Sequence, residues 1–262
     1  MSGYALQLSE GELARYRMMA EAAAADEAGL WAEAGIAPGA RVADVGCGPG
    51  AVLALLAGVV GPAGLAVGVD RDPGAVAHAR AAVAGLPQAE AHVAAADHTG
   101  LRDHQLDVVM CRHVLAHNGG RELAIVRHLA GLVRPGGRVY LVDVDARGLR
   151  LEPPVPALDI DERYRAFHAS LGNDLTIGAK LGVLLEDIGL TVERFAAVGR
   201  VLRPPPGMRP PAWAARRAMV DAGIAGQDDL DRWEAAFDQL DLAVRRPWMF
   251  VPAFVAIGRV PG

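Results

Sequence analysis

The sequence predicts an α/β fold, a doubly wound and mostly parallel sheet covered by helices on both faces. Three observations carry this. Short Val-rich runs alternate with longer Ala- and Leu-rich stretches between residues 41 and 142, the rhythm of β-α-β units. The first run feeds directly into Gly46-Cys-Gly-Pro-Gly50, a strand-to-helix turn. At 262 residues, with 52% apolar and 22% charged content, about three quarters of the unfolded chain's surface can be buried, so a disulfide or metal staple is unnecessary.

Each element has a local reason. Ser9 and Glu12 form a capping-box pattern opening a helix that runs to about Ala34. Arg41–Val45 is a strand, Ala51–Val60 a buried helix ended by Gly61-Pro62, and Leu65–Val69 a second strand. Asp72 with Pro73 starts the next helix. Strands are expected at Ala91–Ala95, Leu106–Cys111 and Arg138–Val142, with a helix capped by Asn118 between the last two. Beyond Val142 the stretch Arg147–Ala157 reads as irregular. Helices are expected at Asp159–Leu171, Thr176–Ile188, Ala212–Ala222 and Asp228–Val244, and strands at Leu190–Leu202 and Met249–Gly258. Asn173-Asp174 reads as an N-cap.

Net charge is −5, which argues against a broad nucleic-acid-binding surface. Two cysteines, Cys47 and Cys111, make no disulfide framework. No basic-then-apolar leader stands at the N-terminus. The charge-free window Val45–Val69 is long enough to mimic a membrane span, but its glycines and prolines break it into loop, helix and strand. The expectation is a soluble, cytoplasmic protein with no membrane partner. No Phe, Tyr or Trp occurs between Trp31 and Tyr140, so a ligand held by that segment is not gripped by aromatic stacking from it.

In a doubly wound sheet, ligands sit at the carboxyl ends of the strands, beside the switch in strand order. That places Asp44, the glycines, Asp70, Asp97 and the Cys111–His117 segment around one cleft. Gly46, Gly48 and Ala51 also satisfy the dinucleotide pattern G-x-G-x-x-A, which keeps a nicotinamide oxidoreductase open. Asp44 separates the alternatives: a pyrophosphate would meet like charge there, whereas an ammonium or sulfonium would be attracted. Asp70 stands where a carboxylate accepts from ribose hydroxyls, and Asp97 can accept from an adenine amine.

Taken together, Asp44-Val-Gly-Cys-Gly-Pro-Gly50, Gly68-Val-Asp70, Ala96-Asp97, the segment Asp107–His117 and Arg134-Pro-Gly-Gly137 resemble the class I S-adenosylmethionine-dependent methyltransferases. The resemblance is strongest to the ubiquinone/menaquinone-biosynthesis type and similar natural-product methyltransferases. It implies a Rossmann-like seven-stranded sheet, with Leu190–Leu202 and Met249–Gly258 as a final antiparallel pair. It also implies S-adenosyl-L-methionine as cofactor, its methionine part held by Asp44, Gly46, Cys47, Gly48 and Gly50, its ribose by Asp70 and its adenine by Asp97. Arg71, His98 and Cys111 are further candidates to line the cofactor, and Arg17 (with Tyr16) to touch its carboxylate from a covering N-terminal helix.

The expected arrangement is one domain: a helical cover over residues 1–35, a cofactor core over 36–145, and acceptor-side insertions over 146–175 and 204–248. His113 and His117, four apart on one helical face, are the candidate bases, His113 first. No Glu follows His113, so the zinc-protease pattern fails and no metal is expected. Tyr164 and His168 could reach an acceptor, or pack as an amphipathic helix. Trp213, Trp233, Phe237, Trp248 and Phe250 could line an apolar lid, anchor the extra helices, or form a homodimer contact. The reading is O-methylation of a small hydrophobic or natural-product-like acceptor. N- or C-methylation, and cofactor binding without methyl transfer, stay open.

Overall fold

The computed structural model describes residues 10–262. Its elements are α1 (Glu10–Ala34), β1 (Arg41–Val45), α2 (Ala51–Val60), β2 (Leu65–Asp70), α3 (Pro73–Ala82), β3 (Ala89–Val93), β4 (Leu106–Arg112), α4 (Glu122–Leu132) and β5 (Val133–Val144). There follow β6 (Arg150–Glu152), α5 (Ile160–Ser170), α6 (Leu181–Glu186), β7 (Thr191–Ala197), β8 (Arg200–Leu202), α7 (Pro211–Ala214), α8 (Arg216–Asp221), α9 (Gln227–Leu242), β9 (Trp248–Val251) and β10 (Ala253–Arg259).

Seven strands form one sheet in the order β3-β2-β1-β4-β5-β10-β7. β1 pairs in parallel with β2 and β4, and the strand order reverses between them. β10 runs antiparallel to both β5 and β7, the expected final pair. Alternation along each strand sorts side chains between two cores. Val42, Val108, Met110 and Tyr140 meet Trp31 of α1, Leu53 and Leu56 of α2, and Val76 of α3. Ala43, Val45, Val109, Cys111, Val139 and Leu141 meet α4 and α6 on the other face. Burying a Leu such as Leu53 or Leu129 is worth about 1.5–3 kcal/mol, and both are fully inaccessible.

A third core joins α5, α7, α8 and α9 through Ile160, Ala212, Met219, Leu230, Trp233 and Phe237. The indole N–H of Trp233 donates to Asp159 Oδ1 at 2.7 Å, and Trp213 packs edge-on against Phe237. These aromatics therefore anchor the added helices to one another.

Several expectations change. The third strand begins two residues early, at Ala89. Asn118 is not the cap of α4; its amide donates to Val114 O, and Arg121 occupies the cap position. The expected strand over Leu190–Leu202 divides into β7 and β8, and that over Met249–Gly258 into β9 and β10, the latter break falling at Pro252, which has no N–H to give. β8 and β9 join β6 in a separate sheet, order β6-β9-β8, so part of the stretch read as irregular is a strand. The helix over Ala212–Ala222 is two short ones, and that over Thr176–Ile188 begins as a tight turn at Ile177–Lys180. Asp72 caps α3 as expected, Oδ1 accepting from Gly74 N at 2.8 Å. Ser9 lies outside the described residues. No helix among the described residues is long and apolar enough to cross a membrane.

Candidate functional site

The turn after β1 is built from left-handed backbone: Gly46, Gly48 and Gly50 have φ of +83°, +51° and +83°. A Cβ on Gly46 would lie 2.1 Å from Val114 Cγ2, and one on Gly50 2.6 Å from Ala79 Cα, so both positions require glycine twice over. At Gly48 the neighbour is the ring of Tyr16, 3.6 Å from a built Cβ. The helix α1 thus roofs the turn with Tyr16, while Arg17, the expected contact, is exposed. Consecutive positions on a helix face different ways, so only one of the two can reach the turn.

Asp70 holds this turn in shape. Its Oδ2 accepts from Gly48 N and its Oδ1 from Asp72 N, both at 2.9 Å. Each oxygen keeps a lone pair for a further donor. Asp44 has the opposite character. It is 2% exposed, and its Oδ2 is buried without a hydrogen-bond partner. Burial pushes its carboxyl up to about 7; Arg112 opposes the rise and Asp70 adds to it. Arg112, at the end of β4, is itself held by Glu27 of α1, which also accepts from the Tyr140 hydroxyl at 2.7 Å. Burial keeps the Cys47 thiol protonated, far above its usual range.

The remaining cofactor candidates divide. Asp97 is ion-paired with Arg121, both contacts falling on Oδ2, which holds its carboxyl below the usual range. His98 and Arg71 are exposed; Arg71 is near enough to His117 to disfavour its charge. The side chain of Cys111 is 1% exposed and packs with Val45 in the α4-side core. Strand alternation explains this: Cys111 registers with Val45, whereas Asp44 registers with Met110 and faces the other way.

The two histidines are not on one helical face. His113 follows the end of β4 in a left-handed conformation, φ +53°, with its side chain a third exposed. Its Nδ1 lies 3.9 Å from Oδ1 of Asp143, a carboxylate 1% exposed and fixed by Ala116 N and Val144 N. Left-handed backbone in a non-glycine residue costs on the order of 1–3 kcal/mol and concentrates at functional sites. His117 lies in a separate short turn, Leu115–His117, where burial lowers its pKa, and packs edge-on against His168 with ring centroids 5.0 Å apart. Among the described residues no group of three His, Cys, Asp or Glu is disposed to hold a metal ion.

Residues the sequence did not single out include Glu27 and Asp161. Glu27 carried no signal, being one acid on an Ala-rich helix. Tyr140, the first aromatic after a long gap, was the available pointer to a special buried position.

Residues 42–137 match the family described as "Methyltransferase domain". The ubiquinone biosynthesis O-methyltransferase of Aeromonas salmonicida is 31% identical over 107 residues, which is 41% of this chain and 44% of that protein. An uncharacterized 37.1 kDa protein of a Streptomyces fradiae transposon is 30% identical over 169 residues, 63% of this chain and 48% of that protein. The chain spans about half the length, or less, of these curated relatives. Among solved structures, an S-adenosylmethionine-dependent methyltransferase of Aquifex aeolicus superposes with TM-score 0.55 at 17% identity, covering 94% of this chain and 97% of that one. A (4+2)-cyclase superposes with TM-score 0.55 at 17% identity, covering 94% and 81%. At such identities the likeness is one of fold. Residues 42–137, which hold the glycine turn, thus resemble a methyltransferase domain, and the chain shares its fold with solved methyltransferase structures.

Proposed function

We propose that the chain methylates an oxygen of a small, hydrophobic, natural-product-like acceptor. The observation carrying the donor half is the buried, unpartnered carboxylate of Asp44 at the foot of a glycine turn. A carboxylate left in that state is costly unless a cation completes it, and the donor's amino-acid ammonium is such a cation. Asp70 would hold the ribose hydroxyls with its remaining lone pairs, and Asp97 Oδ1 the adenine amine. Tyr16 of α1 would close the turn from above. When bound, S-adenosylmethionine supplies a methyl group on a sulfonium, an electrophile with a good leaving group.

The chain's own task is then alignment and exclusion of water, the main source of acceleration in such a displacement. His113 is the base for an acceptor hydroxyl: it stands just beyond the carboxyl end of β4, its Nδ1 3.9 Å from the buried Asp143 carboxylate, which leaves Nε2 to face an acceptor. The insertions over 146–175 and 204–248 form the acceptor-side cap, their third core giving them rigidity. Likeness to an O-methyltransferase over 107 residues supports oxygen as the methylated atom.

The test is calorimetry with S-adenosylhomocysteine, followed by mass spectrometry of acceptor panels. Micromolar binding that Asp44→Ala abolishes is expected. Absence of binding, or stabilisation by NADH in its place, overturns the reading. The fold likeness to a cyclase favours one second reading, in which the donor is bound and no acceptor is methylated.

A further inference from the structure

His168 has a fixed protonation pattern. The amide oxygen of Asn173 accepts from Gly119 N at 3.2 Å, so the amide nitrogen is the group that meets His168 Nδ1 at 3.1 Å. An amide nitrogen only donates, so Nδ1 accepts and the ring proton sits on Nε2. Burial lowers the imidazole to about 4, which keeps this neutral tautomer at physiological pH. The residue is 9% exposed, yet its Nε2 has no hydrogen-bond partner among the described residues. With Nδ1 taken up by Asn173, the Nε2–H is the ring's one donor open to an incoming acceptor atom.

One face of α5 carries more. Asp161, Tyr164 and His168 fall at i, i+3 and i+7, a single helical stripe. His168 touches the rings of His117 and Tyr164, at 5.0 and 4.4 Å, so this stripe faces the Leu115–His117 turn that follows β4. Arg165 fastens it to the loop after β5 through Ala146 O at 3.0 Å. Asp161, half-buried at the other end, makes no hydrogen bond or ion pair with any described residue. Burial lifts its carboxyl to about 6 and the Tyr164 phenol to about 12.

We infer that this stripe is the acceptor-binding wall, taking a planar oxygenated ring system that gives a hydroxyl to Asp161 and receives the His168 Nε2–H at its far end. Two turns of helix separate the two groups by about 10 Å along the axis, the span of a bicyclic ring with a substituent at each end. Tyr164 stands between them, its ring packed against the cores and edge-on to His168, and sets the floor of the stripe. The inference rests on the reading of this cleft as the acceptor side.

The experiment uses the full chain saturated with S-adenosylhomocysteine and titrated with 7-hydroxycoumarin, which carries a hydroxyl and a carbonyl at opposite ends of a planar bicycle. Coumarin, lacking the hydroxyl, is the control. Wild type should bind the probe at least tenfold more tightly than coumarin. Asp161→Ala should erase that preference. His168→Phe, which keeps a ring in place for folding, should weaken both coumarins alike. S-adenosylhomocysteine affinity should change less than twofold in either variant. Equal binding of the two coumarins, no binding of the probe, or variants indistinguishable from wild type would overturn the inference. Failure of wild type to bind S-adenosylhomocysteine would instead overturn the donor reading.

Discussion

Glu27, in the middle of α1, receives both terminal nitrogens of Arg112 at 2.5 and 3.0 Å, tying the covering helix to the last residue of β4. Both side chains are at most a tenth exposed. Arg112 is in turn close enough to Asp44 to oppose the rise of its pKa. One guanidinium therefore links α1 to Asp44 at the head of the glycine turn.

Removing one partner of a buried pair leaves the other charge uncompensated, at a cost of about 3–5 kcal/mol. Glu27→Ala should thus lower the melting temperature by roughly 10 °C. Glu27→Gln should also weaken S-adenosylhomocysteine, because the released Arg112 turns toward Asp44. Calorimetry on a variant shown to be folded by circular dichroism checks this; unchanged affinity would uncouple the two sites.

Asp44 has a folded pKa near 7 against an ordinary 3.8. Between those values the folded protein holds a proton that the unfolded chain releases, so this group's contribution to stability falls as pH rises from about 4 to 7. Asp44→Asn should therefore melt several degrees higher than wild type at pH 8, and the gap should close by pH 5. The same variant should lose at least a hundredfold in S-adenosylhomocysteine affinity.

The sign is opposite for His168. Its folded pKa of about 4 lies below the ordinary 6.5, so its contribution is present above pH 6.5 and is lost as pH falls toward 4. His168→Phe should flatten the acid limb of a melting-temperature profile over that window. A profile identical to wild type would mean that the imidazole is not held neutral.

Gly46 and Gly39 have nearly the same φ, +83° and +85°, but different surroundings. Gly39→Ala meets nothing within 4 Å and should cost about 1–2 kcal/mol from backbone strain alone. Gly46→Ala drives a methyl into Val114 and should cost clearly more, with loss of cofactor binding. Chemical denaturation of the pair separates the two contributions.

His113→Gln should lower kcat by about a hundredfold to ten-thousandfold with any oxygen acceptor that is turned over, without changing cofactor affinity. A variant of full activity would remove His113 from the chemistry.

The core was legible because its signals are local. β1 and α2 fall at Arg41–Val45 and Ala51–Val60 as read, bounded by glycine and proline. The β6-β9-β8 sheet was not legible, since strands of three or four residues show no periodicity and their partners lie about 50 to 100 residues away. Cys111 was misplaced although strand alternation opposes it to Asp44, a test available in the sequence. The pairing of Glu27 with Arg112, and of Asn173 with His168, depends on contacts that no local pattern records.

On the proposed reading, the unpartnered Oδ2 of Asp44 also has a cellular consequence. The protein is least stable when ligand-free, and whatever completes Asp44 raises its folded population by mass action. Its lifetime against proteolysis would then track the supply of the methyl donor, so that the amount of enzyme follows the amount of fuel.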